Sequence, residues 1–323
     1  MIKIGNAGKT MNHYPYRAFG LNIVSAIPLP ELPSASGIPA VRIEVGATPS
    51  GIAGAPVSTG HFQAAPGQLL LWVPKVGNYW IENGNQIVVE PAPASDPKAV
   101  RLFLLGSALG ALLMQRGILP IHGSAVVKGK LCCIITGARG AGKSTLAAAL
   151  RRQGYRLLTD DLAAVGFDAT GRPLVYPAYP QQKLWRDSLA ATGNAGAAGG
   201  RIYGRVDKYA IPVVQSFCDT PQRLGAIYEL RVASDGGVNF VALRGLDKLT
   251  LIMKNIYRPG FAGGLGLREA LFRQAAGLAG HSAVARITRP AKGFTMADQV
   301  ALVEEDLPKR SVFGNGTTTV DSA

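Results

Sequence analysis

Eight consecutive residues, Gly137-Ala138-Arg139-Gly140-Ala141-Gly142-Lys143-Ser144, carry the pattern GxxxxGK followed by Ser, and their neighbours restrict the fold more than any other stretch of the 323-residue chain. Leu131 to Thr136, directly before the loop, is an apolar, β-rich run; Thr145 to Arg152, directly after it, is a strong helix former. In the order strand, loop, helix, backbone N–H groups close around phosphate oxygens. Lys143 then reaches the β- and γ-phosphates, and the Ser144 hydroxyl ligates Mg²⁺. The helix N-terminus adds its partial positive charge to the same anion site. The spacing therefore predicts an α/β fold. It also predicts a site for a nucleotide and Mg²⁺ lined by Gly137, Ala138, Arg139, Gly140, Ala141, Gly142, Lys143, Ser144 and Thr145.

Composition narrows the remaining classes. With 47% hydrophobic and 17% charged residues the chain can bury a large core. The longest apolar run, Leu102 to Met114, is short for a bilayer and is interrupted by Gly106, Ser107 and Gly110. Met1 to Thr10 carries no apolar export segment. Three cysteines, two of them adjacent, make no disulfide framework. The expectation is a cytoplasmic protein without a membrane partner. Net charge is +14, and it is uneven: residues 1–120 carry 8 basic and 5 acidic side chains, whereas residues 121–323 carry 26 and 15. Neither an aromatic-interleaved basic stripe nor a nucleic-acid motif accompanies the excess, so it is read as phosphate handling or a solvated surface and not as nucleic-acid binding.

Along the chain, residues 1–95 are β-rich. Short strands are predicted at Leu21 to Leu29, Val41 to Val45, Gln68 to Val73, Tyr79 to Glu82 and Gln86 to Glu90, with Asn83-Gly84 as a hairpin turn. This segment assembles no catalytic set and reads as an accessory or substrate-docking domain. Pro91 to Ala94 marks a linker. Asp96-Pro97 then opens a helix, as N-cap and first helical residue, that Gly117 stops. Residues 96–313 form the predicted catalytic domain, and 314–323 a disordered tail. Later expectations are a flexible low-complexity segment from Ala190 to Gly200, a strand near Leu224 to Val232 and a helix from Leu267 to Leu278. A last helix follows Thr295, which would form a capping box with Asp298.

Phosphoryl transfer needs a metal and a proton acceptor besides the loop. Tyr155 to Thr159 reads as a strand beside the loop strand, ending at Asp160-Asp161. Adjacent side chains on a strand alternate in direction, so one carboxylate can orient Mg²⁺ while the other accepts the proton of the attacking hydroxyl. His122 ends a predicted strand before Gly123. A lone histidine is as readily structural as catalytic.

Ile121-His122-Gly123, the Thr136 to Thr145 segment and Tyr155 to Leu162 together resemble the catalytic core of HPr kinase/phosphorylase, over about fifty residues. The closer resemblance is to the HPr-kinase-like proteins of lasso peptide biosynthesis, on Arg17 to Leu21 and Lys183-Leu184-Trp185. That resemblance implies an HPr kinase-like P-loop core behind a small β-rich N-terminal domain, and an ATP- and Mg²⁺-dependent serine kinase. Its implied substrate is the C-terminal serine of a precursor peptide, and homo-oligomers occur among such proteins. It implies Lys143 and Ser144 at nucleotide and metal, Asp160 as general base, Asp161 with Ser144 at the metal, and His122 at the reacting phosphates. A glutamate-containing signature resembling ExRGxG is replaced here by Gln181 to Ser188, which argues for the forward reaction alone. Lys183, Arg186, Arg201, Arg205, Lys208 and Arg258 are candidate phosphate or peptide contacts, with Arg201 and Arg205 beside a lid hinge. Trp185 and Tyr203 read as packing. The residues alone leave two other readings open, a small-molecule kinase and a nucleotide-sensing regulator.

Overall fold

The alternation of apolar residues along the first ninety positions becomes a mixed, eight-stranded sheet. The computed structural model describes residues 13–191, 208–293 and 295–314. The sheet contains β1 (Tyr14–Ala18), β2 (Leu21–Ser25), β3 (Val41–Val45), β4 (Val57–Ser58), β5 (Phe62–Ala65), β6 (Gln68–Val73), β7 (Gly77–Glu82) and β8 (Gln86–Pro91), in the order β1-β2-β3-β8-β7-β6-β5-β4. β1, β4 and β5 are absent from the sequence reading; β4 has two residues and β5 four, too short for a periodic signal. β2 stops at Ser25 and not at Leu29, because the Ser25 hydroxyl bonds the backbone of Ile27 and turns the chain.

Asp96 caps the next helix as expected, accepting from the Lys98 N–H at 2.9 Å, and Pro97 is its first residue. This helix, α1, runs from Pro97 to Gln115 with a π turn at Leu104–Ala108, longer than the apolar run alone indicated. It is long and apolar enough to cross a membrane, with a mean hydropathy of 1.4, yet 67% of that window is buried inside the protein. Leu104, Leu109, Leu112 and Leu113 are fully buried in one apolar cluster with Leu69 and Ile81 of the N-terminal sheet and Leu119 of the next strand. α1 is thus a core helix between two sheets.

The second sheet holds β9 (Leu119–Lys128), β10 (Leu131–Gly137), β11 (Arg156–Thr159), β12 (Leu162–Phe167), β13 (Pro173–Tyr176), β16 (Gln222–Ala233), β17 (Asn239–Ala242) and β18 (Ala283–Pro290). A separate pair, β14 (Gln181–Trp185) and β15 (Lys208–Pro212), runs antiparallel. After α1 the helices are α2 (Lys143–Arg152), α3 (Arg186–Ala191), α4 (Gly245–Lys254), α5 (Gly260–Gly264), α6 (Arg268–His281) and α7 (Met296–Asp306). β9 is buried along nearly its whole length, with α1 and α2 both packed against it.

Three expectations are corrected. His122 lies inside the ten-residue β9 and does not end a strand, because Gly123 and Ser124 continue the ladder with β10. The strand leading to Asp160 pairs with β9, not with the loop strand, so β9 stands between them. The Thr295–Asp298 box is not formed: Gln299 instead donates to the Thr295 hydroxyl at 3.2 Å. The low-complexity segment from residue 192 onward, Arg201, Tyr203, Arg205 and residues 315–323 lie outside the described residues.

Candidate functional site

β9 carries a different neighbour on each half of one flank. β11 pairs with Ala125 to Val127, β12 pairs with Leu119 to His122, and the chain breaks between them at Asp160-Asp161. The break is held by backbone and side chain together. The Gly123 N–H donates to the Asp161 carbonyl at 3.3 Å, the Thr159 hydroxyl donates to the Leu162 carbonyl at 2.5 Å, and Asp161 takes a φ of +69°. That left-handed residue turns the two carboxylates apart.

On the other flank β10 delivers the glycine loop. Gly137, Gly140 and Gly142 have φ of +132°, +84° and +108°. A Cβ at Gly137 would collide with the Leu230 carbonyl of β16, so glycine is required there by both conformation and space. Gly123 solves a second crowding problem: a Cβ would sit 2.6 Å from the Ile135 carbonyl, so only glycine lets β9 and β10 approach beside the loop. The Lys143 ammonium folds back onto its own loop, donating to the Gly137 and Ala138 carbonyls at 2.8 and 3.1 Å. Burial pushes its pKa down, with Lys208 adding to the shift against the pull of Asp161.

Asp160 is buried and accepts three hydrogen bonds. Its Oδ1 takes the Ser124 hydroxyl at 2.5 Å and the Ser144 hydroxyl at 3.1 Å; its Oδ2 takes the Lys183 N–H at 2.7 Å. Asp161 meets different partners, the Lys183 ammonium at 3.0 Å and the Lys208 ammonium at 3.3 Å. Burial pushes the Asp161 carboxyl up, but the two lysines, the Lys183 hydrogen bond and His122 outweigh it and hold the group well below the usual carboxylate range. Burial also pushes Lys183 down, and Tyr179, Asp161 and Asp160 outweigh that and raise it. Both lysines come from the β14–β15 pair, which brings them to the break.

The expected pairing of Ser144 with Asp161 is therefore replaced by Ser144 with Asp160. Two hard oxygen donors so placed suit Mg²⁺, and the cradle of glycine N–H groups beside Lys143 suits a polyphosphate.

His122 Nδ1 lies 3.0 Å from the Asp161 carbonyl, which can only accept, so Nδ1 carries the proton and a neutral ring leaves Nε2 bare. Burial and the nearby Lys143 lower its pKa, against the raising pull of Asp161. Its backbone is fixed from both sides: the His122 N–H donates to the Asn255 carbonyl at 2.7 Å, and the Thr136 hydroxyl donates to the His122 carbonyl at 2.7 Å.

Of the six cationic candidates, Lys183 and Lys208 stand at the carboxylates. Arg258 borders the site, and Arg186 turns onto the Tyr209 hydroxyl at 2.6 Å. Gln182, in the Gln181 to Ser188 stretch that stands in place of the glutamate-containing signature, is fully buried. It donates to the Ser144 carbonyl at 2.9 Å and accepts from Arg151 at 2.9 Å.

Two cavities meet here. One, about 380 Å³, is walled by Asp160, Asp161, Lys183, Phe19 and the π turn of α1; the other, about 530 Å³, is walled by His122, Gly137, Ala138 and Glu229. Sequence reasoning missed Glu229. It interrupts the apolar run Ala226 to Leu230 on β16, parallel to the loop strand and opposite Thr136, and pairs with Arg286 at 2.6 Å. An acid inside an otherwise apolar buried strand was the available signal. Cys132, Cys133 and Cys218 are buried and free, consistent with packing.

No family model matches the chain, and no curated protein matches it. Among solved structures, the Hpr(Ser) kinase/phosphatase from Coxiella burnetii is similar over 61% of this chain and 99% of its own, at 12% identity and a TM-score of 0.32. So loose a superposition transfers no residue roles.

Proposed function

We propose that this chain is an ATP- and Mg²⁺-dependent kinase that transfers the γ-phosphoryl group to an alcohol, a serine hydroxyl of a peptide. The C-terminal serine of a lasso peptide precursor is the acceptor that the sequence resemblance implies. The observation that carries the reading is the different engagement of one aspartate pair at the 380 Å³ cavity that both line: Asp160 accepts the Ser144 hydroxyl at the glycine loop, while Asp161, turned away, faces the Lys183 and Lys208 ammoniums.

Lys143 leaves its loop carbonyls to pair with the β- and γ-phosphates. Ser144 and Asp160 would hold the metal, and Mg²⁺ bound there would supply neutralisation of the phosphate charge. Asp161 orients the acceptor hydroxyl and takes its proton. The acceptor oxygen bonds to the γ-phosphorus as the bond to the β,γ-bridging oxygen breaks, and ADP leaves. Because such transition states are loose, the proton moves late and a weakly basic carboxylate suffices. With Ser144 and Asp160 assigned to the metal, Asp160 is not also available to receive the substrate proton. This reading therefore moves the proton acceptor from Asp160 to Asp161.

A small-molecule acceptor is the second reading, favoured by the size of the cavity and by its floor of core helix α1, which suits a chain end or a compact alcohol better than a folded surface. Incubation with ATP, Mg²⁺ and the peptide encoded beside this gene, followed by mass spectrometry, separates the two. One phosphate on the peptide supports the first reading. Phosphate on free serine or a sugar supports the second. ATP binding without transfer to any acceptor refutes both.

A further inference from the structure

The two cavities share Arg139, Tyr257 and Arg258, and Arg258 comes from neither the glycine loop nor the carboxylate break. It follows Asn255 to Tyr257, a short segment clamped onto β9 where β10 has ended: Ile256 bridges Ile121, the Tyr257 N–H donates to the Pro120 carbonyl at 2.8 Å, and the Asn255 carbonyl accepts from His122. Tyr257 is seated on α1 by two glycines. A Cβ at Gly110 would stand 2.9 Å from its ring, and one at Gly106 would stand 3.1 Å from its hydroxyl. Its ring lies 5.9 Å from that of His122, and the Arg258 guanidinium lies 5.9 Å from the Tyr257 ring. A rigid platform therefore carries an exposed arginine to the seam between the nucleotide loop and the acceptor cavity.

The backbone marks the same place. Among the described residues, the non-glycine positions with positive φ include Phe19 at 54°, Asp161 at 69° and Arg258 at 51°, and these three line the same 380 Å³ cavity. Left-handed bulky residues persist only where their surroundings impose them, and they gather at functional sites. Arg139 is accounted for otherwise: its guanidinium lies 5.6 Å from the Trp185 ring, above the loop.

We propose that Arg258 is a catalytic residue of this kinase, an arginine supplied in cis that donates N–H groups to the γ-phosphoryl oxygens while the group passes from ATP to the acceptor. The assignment rests on the kinase reading above. Arg258 exchanges neither proton nor electron pair in that step. It stabilises the charge spread over the equatorial oxygens, and its planar donor fork fits them better than an ammonium does.

The test needs no acceptor. A fluorescent ADP is titrated with Mg²⁺, with and without aluminium fluoride, which mimics the phosphoryl group in flight. Wild type should bind ADP and gain about 100-fold or more with fluoride. Arg258→Gly relieves the positive φ, so its fold is safe; it should bind ADP within about 3-fold of wild type and lose most of the gain. Arg258→Lys should recover only part of it. Arg273→Ala, an exposed arginine of α6 paired with Glu269, should behave as wild type. A full fluoride gain in Arg258→Gly overturns the assignment, as does a wild type that binds ADP without any gain. Wild type that binds no ADP overturns the kinase reading itself.

Discussion

Ser144 and Asp160 meet at 3.1 Å although they belong to opposite flanks of β9, one at the N-terminus of α2 and the other at the end of β11. Ser124, on the strand between them, donates to the same Asp160 oxygen. The contact exists because β9 is thin here: Gly123 and Ser124 put no bulk between the loop and the aspartate. This relationship ties one carboxylate to the glycine loop, while its neighbour pairs with the Lys183 and Lys208 ammoniums instead.

Gly123→Ala tests that thinness. Its Cβ would stand 2.6 Å from the Ile135 carbonyl, and a backbone atom of a paired strand cannot rotate away. Overpacking of this kind costs about 1–3 kcal/mol. Thermal denaturation should register a lower midpoint, and ATP affinity should fall with it as β10 shifts. An unchanged midpoint would mean that the strands part without cost.

Asp161 should matter to stability in a pH-dependent way. Its folded pKa lies below the ordinary value of 3.8, so the stabilisation is present above that pH and is lost as pH falls through the folded value. At pH 7, Asp161→Asn leaves the largely buried Lys183 ammonium without its carboxylate, a loss of about 2 kcal/mol, between the surface and buried cases. Unfolding curves from pH 7 to pH 3 should show the gap between wild type and variant narrowing at the acid end. A gap constant with pH would contradict the ion pair.

His122 sets an expectation for activity. Because burial and Lys143 depress its pKa below 6.5, the ring stays neutral through the physiological range, with Nδ1–H on the Asp161 carbonyl. Transfer should therefore hold its rate from pH 8 down to about 6.5 and fall only below it. A rate that already declines between pH 8 and 7 would require a protonated ring and a different hydrogen-bond arrangement.

Gln182→Ala removes a buried amide whose two ends are both engaged, taking a second donor from the Ser144 carbonyl and leaving one Arg151 nitrogen unsatisfied. The expected loss is about 1–3 kcal/mol in chemical denaturation, with weaker ATP binding because the first turn of α2 loses its brace. Destabilisation without any change in ATP binding would separate the brace from the loop.

How much of this was legible in the sequence follows from distance along the chain. Gly137 to Ser144 is a local device whose strand, loop and helix occupy adjacent residues, so the motif reads directly. Asp96-Pro97 and Asn83-Gly84 are equally local: Asp96 caps its helix, and Asn83 and Gly84 both take positive φ. Asp160 and His122 were picked out one by one, but their arrangement depends on β9 lying between the loop and the break, and pairings across more than twenty residues leave no periodic trace. The residues alone left open which aspartate stands with Ser144, and Asp161 was placed there by the family resemblance. Lys208 was one cation among many until β15 paired with β14, and Glu229 lay unremarked inside the strand expected from Leu224 to Val232.

The division of labour between the two carboxylates is tested most directly by calorimetric titration of ATP into wild type, Asp160→Asn and Asp161→Asn across a series of Mg²⁺ concentrations. In wild type and Asp161→Asn, ATP affinity should rise with Mg²⁺ to the same extent. In Asp160→Asn most of that rise should vanish, by about tenfold or more, which corresponds to about 1.4 kcal/mol of lost metal coupling. Loss of the Mg²⁺ dependence in Asp161→Asn, with Asp160→Asn unaffected, would contradict the account.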